Sequence, residues 1–202
     1  MLITVEGIDG AGKTTLVAGL AEALRKGGRD LEVLREPGGV ELSERLRALV
    51  KDPALTMDAR AEALLYAAAR AQLVAERLEP LLAGEQWVLL DRFVDSSLAY
   101  QGGGRRLGIE AVRALNRFAT GGLEPDRTLL LRIDPAQGLA RIARRREDVD
   151  RLEREKTAFF LAVATAYDEL AAIEPGRIAV VDAGQEPDRV LADALRALAP
   201  IL

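Results

Sequence analysis

Five short runs along the chain are almost continuously apolar: Leu2–Glu6, Leu31–Arg35, Trp87–Asp91, Thr128–Ile133 and Ile178–Asp182. Strands buried on both faces read this way, whereas half-exposed strands alternate. Between these runs, apolar residues recur at helical spacing. Leu16, Leu20, Ala23 and Leu24 form one stripe, and Leu64, Ala68, Ala71, Ala75, Leu78 and Leu82 form another. Leu139–Arg145, Leu152–Ala172 and Asp188–Ala199 carry further helical patterns. Repeated β–α alternation predicts an α/β fold: a five-stranded, mostly parallel sheet with helices on both faces. No Pro/Gly/Ser-rich linker divides the chain, so residues 1–202 are expected to form one domain. Gln101–Gly104 and Arg144–Arg151 read as loops or lids.

Composition narrows the chemistry. The chain has neither cysteine nor histidine. Disulfides, histidine or cysteine metal sites and a Ser-His-Asp triad are thereby excluded, leaving Lys, Arg, carboxylates, hydroxyls, backbone amides and a hard, oxygen-loving cation. The longest stretch without Asp, Glu, Lys or Arg, Thr157–Tyr167, falls short of the ~20 apolar residues of a membrane span. Residues 1–6 are too short and too acidic for a secretory signal. A net charge of −4 and a pI of 5.2 argue against a nucleic-acid polymer as partner.

The first strand runs into Gly7-Ile8-Asp9-Gly10-Ala11-Gly12-Lys13-Thr14, a G-x-x-x-x-G-K-[ST] loop that opens a helix. Its glycines let backbone amides turn onto a polyphosphate, and the helix N-terminus adds partial positive charge. Lys13 can reach the terminal phosphates, and the Thr14 hydroxyl can ligate Mg²⁺. Thr15 reads as a first-turn helix residue beside them. The pattern specifies nucleoside triphosphate binding but not its use. A guanine-reading N-K-x-D segment is absent, because the single asparagine lies in Leu115-Asn116-Arg117-Phe118. A small-molecule phosphotransferase fits better, and it needs a second anion site for its acceptor.

Arg35, at the end of the second run in Arg35-Glu36-Pro37-Gly38-Gly39, could grip a phosphate at a strand's carboxyl end. Spacing alone leaves an ordinary strand-end turn equally open. Asp91 ends the third run in a Walker-B-like position suited to Mg²⁺, with Arg92 next to it; a local Asp–Arg pair is the alternative. Tyr66 and Arg70 share a helix face at i,i+4, and Arg70 has no acidic residue at ±3 or ±4. A ring and an unpaired guanidinium could serve a nucleobase, although a core-edge tyrosine with a snorkelling arginine reads the same. Arg141, Arg144, Arg145, Arg146, Arg151 and Arg154 form a basic cluster interleaved with acids. It is either a self-paired solvated face or a lid, over about residues 141–154, whose arginines neutralise a transferring phosphoryl group.

Together EGIDGAGKTT, REPGGV, YAAAR, DRFVDSSLAYQGGGR, RIARRREDVDRLE and VVDAG resemble the thymidylate kinase family along nearly the whole chain. The resemblance implies a P-loop nucleoside-monophosphate-kinase-like fold with an arginine-rich lid. It implies transfer of the ATP γ-phosphoryl to dTMP with Mg²⁺, in a cytoplasmic homodimer. Mapped residue by residue, it places ATP on Gly7, Gly10, Ala11, Gly12, Lys13, Thr14 and Thr15, with Arg141 and the Asp182-Ala183-Gly184 turn flanking the adenine. It places Asp9 towards the acceptor's sugar and phosphate, and Arg35 and Arg92 on the acceptor phosphate. Tyr66 would stack on thymine, Arg70 would donate to a thymine carbonyl, Ser97 and Gln101 would line the pocket, and Tyr100 would crowd a 2′-OH. Thr14 and Asp91 would face the metal. Gly10 follows Asp9 in the loop, so the catalytic arginine is expected in the lid, as one of Arg144, Arg145 or Arg146. A deoxynucleoside kinase and a nucleotide-binding regulatory module are the competing readings; Arg35 favours an acceptor that already carries a phosphate.

Overall fold

The computed structural model of the chain describes residues 1–144 and 150–202. All five apolar runs form strands: β1 (Leu2–Gly7), β2 (Leu31–Arg35), β3 (Trp87–Asp91), β4 (Arg127–Arg132) and β5 (Ile178–Asp182). They pair in parallel in the order β2-β3-β1-β4-β5. The apolar continuity has the expected cause. Neighbours on one strand point to opposite faces, yet both are covered: Ile3, Val5 and Leu89 join one apolar cluster, while Leu2, Val88 and Leu90 join another.

The helices in chain order are α1 (Lys13–Lys26), α2 (Glu41–Lys51), α3 (Ala59–Leu73), α4 (Glu79–Ala83), α5 (Val94–Ser97), α6 (Ile109–Thr120), α7 (Pro135–Ala143), α8 (Thr157–Ile173) and α9 (Pro187–Leu198). The first predicted stripe seats Leu16, Leu20 and Leu24 in the larger cluster, with Val190, Ala194 and Leu198 of α9. α7 starts earlier than the pattern suggests, because Asp134 Oδ1 accepts from the amides of Ala136 (2.8 Å) and Gln137 (3.3 Å) and Pro135 suits a first turn. α8 starts later than Leu152. There Asp150 Oδ1 takes the amides of Leu152 (2.9 Å) and Glu153 (3.0 Å) and turns the chain before the helix.

Two expectations are corrected. The second stripe has the wrong phase: Leu64, Ala68 and Ala75 are exposed, and the buried face of α3 carries Ala63, Ala67 and Leu73 with Glu62 and Arg70. A hydrophobicity pattern discards a face that buries two charges. A π-helical stretch, Val74–Leu78, then shifts the register before α4, so one 3.6-residue period cannot run from Leu64 to Leu82. Gln101–Gly104 is not a loop but the end of a second π-helical stretch, Leu98–Gly104, which follows α5 and packs against α8. Two of its glycines lie against side chains of α8, with Gly103 facing Ala166 and Gly104 facing Phe159, where larger residues would collide.

The parallel arrangement brings the carboxyl ends of the strands together. Val5 and Arg35 both register on Asp91, and Arg132 registers on Asp182. Ligands of open α/β sheets bind along this edge. Among the described residues, no helix is long and apolar enough to cross a membrane.

Candidate active site

A cavity of about 280 Å³ opens along that edge. The loop after β1 forms one end. Lys13 is buried, and its Nζ donates to the carbonyls of Gly7 (3.1 Å) and Ile8 (2.9 Å), filling the ring of the loop. Ala11 is buried, with its amide on Ile8 O at 3.2 Å, while Gly10, Gly12, Thr14 and Thr15 face the cavity. Gly10 has φ +80°, and a Cβ there would collide with the Gly138 carbonyl of α7. A side chain at that position would need α7 to move away.

On the far side of the loop, Arg141 bridges Gly10 O (3.4 Å) and Ala183 O (3.2 Å), and Asp182 Oδ1 accepts from Gly184 N at 2.8 Å. The expected adenine-side group is thus brought to the outside of the phosphate loop. Arg144 ends α7 and is exposed, away from the cavity lining. Arg145 and Arg146 lie outside the described residues.

Between the loop and the sheet sits a dense ionic centre. Arg92 has φ +71°, a costly conformation for a side-chain-bearing residue. It is held from several sides: its amide donates to Val5 O (3.0 Å), and its guanidinium to Asp9 Oδ1 (2.6 Å), Gly7 O (3.1 Å) and Ser96 Oγ (3.0 Å). The Tyr100 hydroxyl donates to Asp9 Oδ2 at 2.9 Å. Burial would raise the Asp9 carboxyl, but Arg92 and Lys13 outweigh it and hold Asp9 well below the usual carboxylate range. Burial and then Arg92 bring Lys13 down to about 8, against the pull of Asp9, Asp91 and Glu6.

Glu6, the last side chain before the loop, is fully buried. It accepts from the amides of Phe93 (2.7 Å) and Ser96 (3.2 Å) and the hydroxyls of Ser96 (2.5 Å) and Tyr167 (2.8 Å). It thus caps α5 and ties the segment after Arg92 to β1. Burial and then Asp95 push it up to about 7.

The residues expected to hold the acceptor line the same cavity. Tyr66, Arg70, Ser97, Tyr100 and Gln101 all line it, as does Arg35. Arg70 differs from both sequence readings. It neither snorkels nor lacks a partner: it is 2% exposed and ion-paired at 2.5 Å with Glu36, which is 5% exposed. Its other donors go to Ser97 Oγ, Asn116 Oδ1 and Phe93 O. All five guanidinium N–H groups are engaged, so donation to a ligand carbonyl requires sharing a proton now given to Ser97 or Asn116. Arg35 pairs with Glu44 at 2.8 Å and donates to Pro37 O at 3.1 Å. Arg47 of α2 joins it on the same carbonyl at 2.9 Å.

The family model described as thymidylate kinase matches residues 5–194. The chain belongs to the thymidylate kinase family. The thymidylate kinase of Lactobacillus delbrueckii subsp. bulgaricus is 51% identical over 197 residues, 96% of this chain and 93% of its own. That of Oenococcus oeni is 52% identical over 199 residues, covering 96% and 92%. The crystal structure of thymidylate kinase from Ehrlichia chaffeensis matches with a TM-score of 0.80 at 30% identity, over 98% of both chains.

Members of the thymidylate kinase family imply a divalent cation with ATP, and this site fits one. Asp91 Oδ1 is buried without a hydrogen-bond partner, in the cavity that Lys13 and Thr14 also line. Such an orphaned carboxylate oxygen suits a hard ion. Among the described residues no group of three or more acidic side chains gathers as a cage. An ion here would draw its remaining ligands from phosphate oxygens and water.

Sequence reading missed several residues that line or brace this site: Glu6, Glu36, Arg47, Lys51, Glu62, Asp150 and Glu153. A signal existed for two of them. Arg47 and Lys51 are i,i+4 on α2, directly after the REPGG turn, so they share one face of a helix that follows Arg35 closely in the chain. In the described part of the basic cluster, Asp150 pairs with Lys51 at 2.8 Å and Arg151 with Glu62 at 2.7 Å, rather than within one helix face.

Proposed function

We propose that this chain transfers the γ-phosphoryl group of ATP to dTMP, giving dTDP and ADP, as a step of dTTP biosynthesis. The carrying observation is one continuous cavity with the phosphate loop at one end, the Tyr66–Arg70–Gln101 pocket at the other, and Lys13, Arg35, Arg47 and Arg92 between them. Two anionic nucleotides meeting end to end need such a string of cations.

In this reading the loop amides and Lys13 hold the ATP phosphates, and Arg141 with Asp182–Gly184 flanks the adenine. Arg35 and Arg92 fix the acceptor phosphate, Tyr66 stacks on the base, and Arg70, Ser97 and Gln101 read its edge. Tyr100, pinned by Asp9, crowds the sugar. An acceptor phosphate oxygen, already anionic, attacks Pγ, and the bond from Pγ to the ADP oxygen breaks. No general base is required. Asp9, held below the usual carboxylate range, is a poor proton acceptor and acts by keeping Arg92 aimed. Thr14 and Asp91 would hold Mg²⁺, which offsets charge on the β- and γ-oxygens when it arrives with ATP. Because the loop carries Gly10 and no arginine, the cation on the transferring group is assigned to the lid, among Arg144, Arg145 and Arg146. We assign the whole chain to one kinase domain that works as a cytoplasmic homodimer. Leu64 on α3 and Phe118 on α6, 57% and 89% exposed on helices that pack together, supply apolar surface for a partner.

A panel of nucleoside monophosphates, with thymidine alongside, tests the substrate. ADP release with ATP and Mg²⁺ is expected with dTMP and not with thymidine; turnover of thymidine alone would reject the reading. The pH profile tests the loop. The kcat/KM for ATP reports the free enzyme and should fall as pH rises through about 8, where Lys13 loses its proton. The kcat, read with both nucleotides bound, should hold to higher pH, because phosphate anions favour the charged lysine. A kcat/KM profile flat through that range would contradict the placement of Lys13.

A further inference from the structure

Glu62 lies one turn before Tyr66 and two before Arg70 on the same face of α3, yet it does not line the cavity. Its carboxylate is completely buried and collects three side chains from two separate segments. Gln101 Nε2 donates to Oε1 at 2.8 Å, Arg105 Nη2 lies 3.0 Å from Oε2, and Arg151 Nη2 lies 2.7 Å from the same oxygen. Arg151 is fastened further by Nε to Val50 O at 3.0 Å and by its amide to Lys51 O at 3.2 Å. Arg105 passes a second contact to Glu155 at 2.5 Å. The segment 150–155 is thereby strapped across the mouth of the acceptor pocket, where Asp150, Leu152 and Glu153 contribute to the lining.

Two consequences follow from one carboxylate. Because Gln101 gives an amide proton to Glu62, its Oε1 and its second N–H are the groups left for the base. Because Arg151 pairs with the same carboxylate, Glu62 helps to seat the strap, beside the contacts of Arg151 with Val50 and Lys51 and of Asp150 with Lys51. We propose that Glu62 is a positioning residue that couples base recognition by Gln101 to the seating of the 150–155 strap over the acceptor. This rests on reading that pocket as the dTMP site, and it assigns coupling to a side chain that touches neither nucleotide.

Steady-state kinetics of Glu62→Gln, Arg151→Met and the double variant test it, with Arg70→Met as reference. Each single variant should raise the KM for dTMP about tenfold, in the range typical of coupled sites. The KM for ATP should change by less than about twofold, because the ATP end shares none of these contacts. The double variant should be no worse than the worse single one, since both break the same tie. If Glu62→Gln fails to fold, Arg151→Met carries the test alone, because its side chain lies nearer the surface. Equal rises in both KM values, or an Arg151→Met enzyme with unchanged KM for dTMP while Arg70→Met raises it, would overturn the coupling and leave the pocket reading intact. If Arg70→Met leaves the KM for dTMP unmoved too, the pocket reading itself fails and the coupling fails with it.

Discussion

Lys13→Met is expected to lower the rate of phosphoryl transfer by about 10³-fold, the loss typical of removing one preorganised charge contact from a transition state. The substitution keeps the aliphatic stem and deletes the ammonium. The local balance explains why the loss is large. Glu6, Asp9 and Asp91 all act on Lys13, and Arg92 is the cation that acts against it. Without the lysine, Asp9 and Asp91 remain beside Arg92 on the cavity wall where the ATP tail must lie, and the field turns against a polyphosphate. The fold should survive. Lys13 Nζ meets two loop carbonyls, whose lost hydrogen bonds cost about 1–3 kcal/mol, and the variant no longer has to bury a charge. Coupled ADP release at saturating dTMP and ATP measures the effect, with thermal melting as the control. A well-folded variant with the parent kcat would remove the basis for the loop assignment.

The strands and the phosphate loop were legible because both depend on local pattern. A parallel strand covered on both faces is apolar at every position, and the loop's glycines, lysine and threonine are contiguous. The acceptor end was legible as a set of residues but not as a geometry. Arg70 lacked a partner within its helix, yet its partner Glu36 lies 34 residues away. The α3 stripe failed for the same reason. A helix that buries Glu62 and Arg70 presents the wrong periodicity to any hydrophobicity count, and contacts from Glu36 after β2, from α5, α6, the π-helical stretch and the 150–155 strap make that face stable. The basic cluster after α7 read equally well as a lid or as a self-paired face. In its described part, Asp150 and Arg151 reach to α2 and α3 rather than to each other's helical neighbours.

Arg70→Ala is expected to do two things at once, and they can be separated. The first is loss of stability by about 3–5 kcal/mol, the usual cost of removing one partner from a buried ion pair. That is a large part of the 5–15 kcal/mol that holds most domains together. Glu36 would be left with neither oxygen paired, since Oε1 already lacks a partner, and Ser97, Asn116 and the Phe93 carbonyl would each lose a donor. Burial already raises Glu36, and Arg70 is what opposes the rise. Without the arginine the carboxyl rises further, so the penalty is full above that raised value. It shrinks as pH falls towards the ordinary 4.5, where the unfolded chain takes up the same proton. The melting deficit of Arg70→Ala relative to the parent should therefore narrow on acidification already above 4.5, whereas losing a simple surface ion pair would narrow it only below that value. The second effect is on the acceptor. Arg70→Met combined with Glu36→Gln removes both charges together and should recover much of the stability. It should still raise the KM for dTMP by about 10- to 100-fold, the equivalent of one charged hydrogen bond. The KM for ATP should move by less than about threefold, because the ATP end of the cavity shares no contact with this pair. Equal losses for both nucleotides in the double variant would make Arg70 a brace for α3 and nothing more.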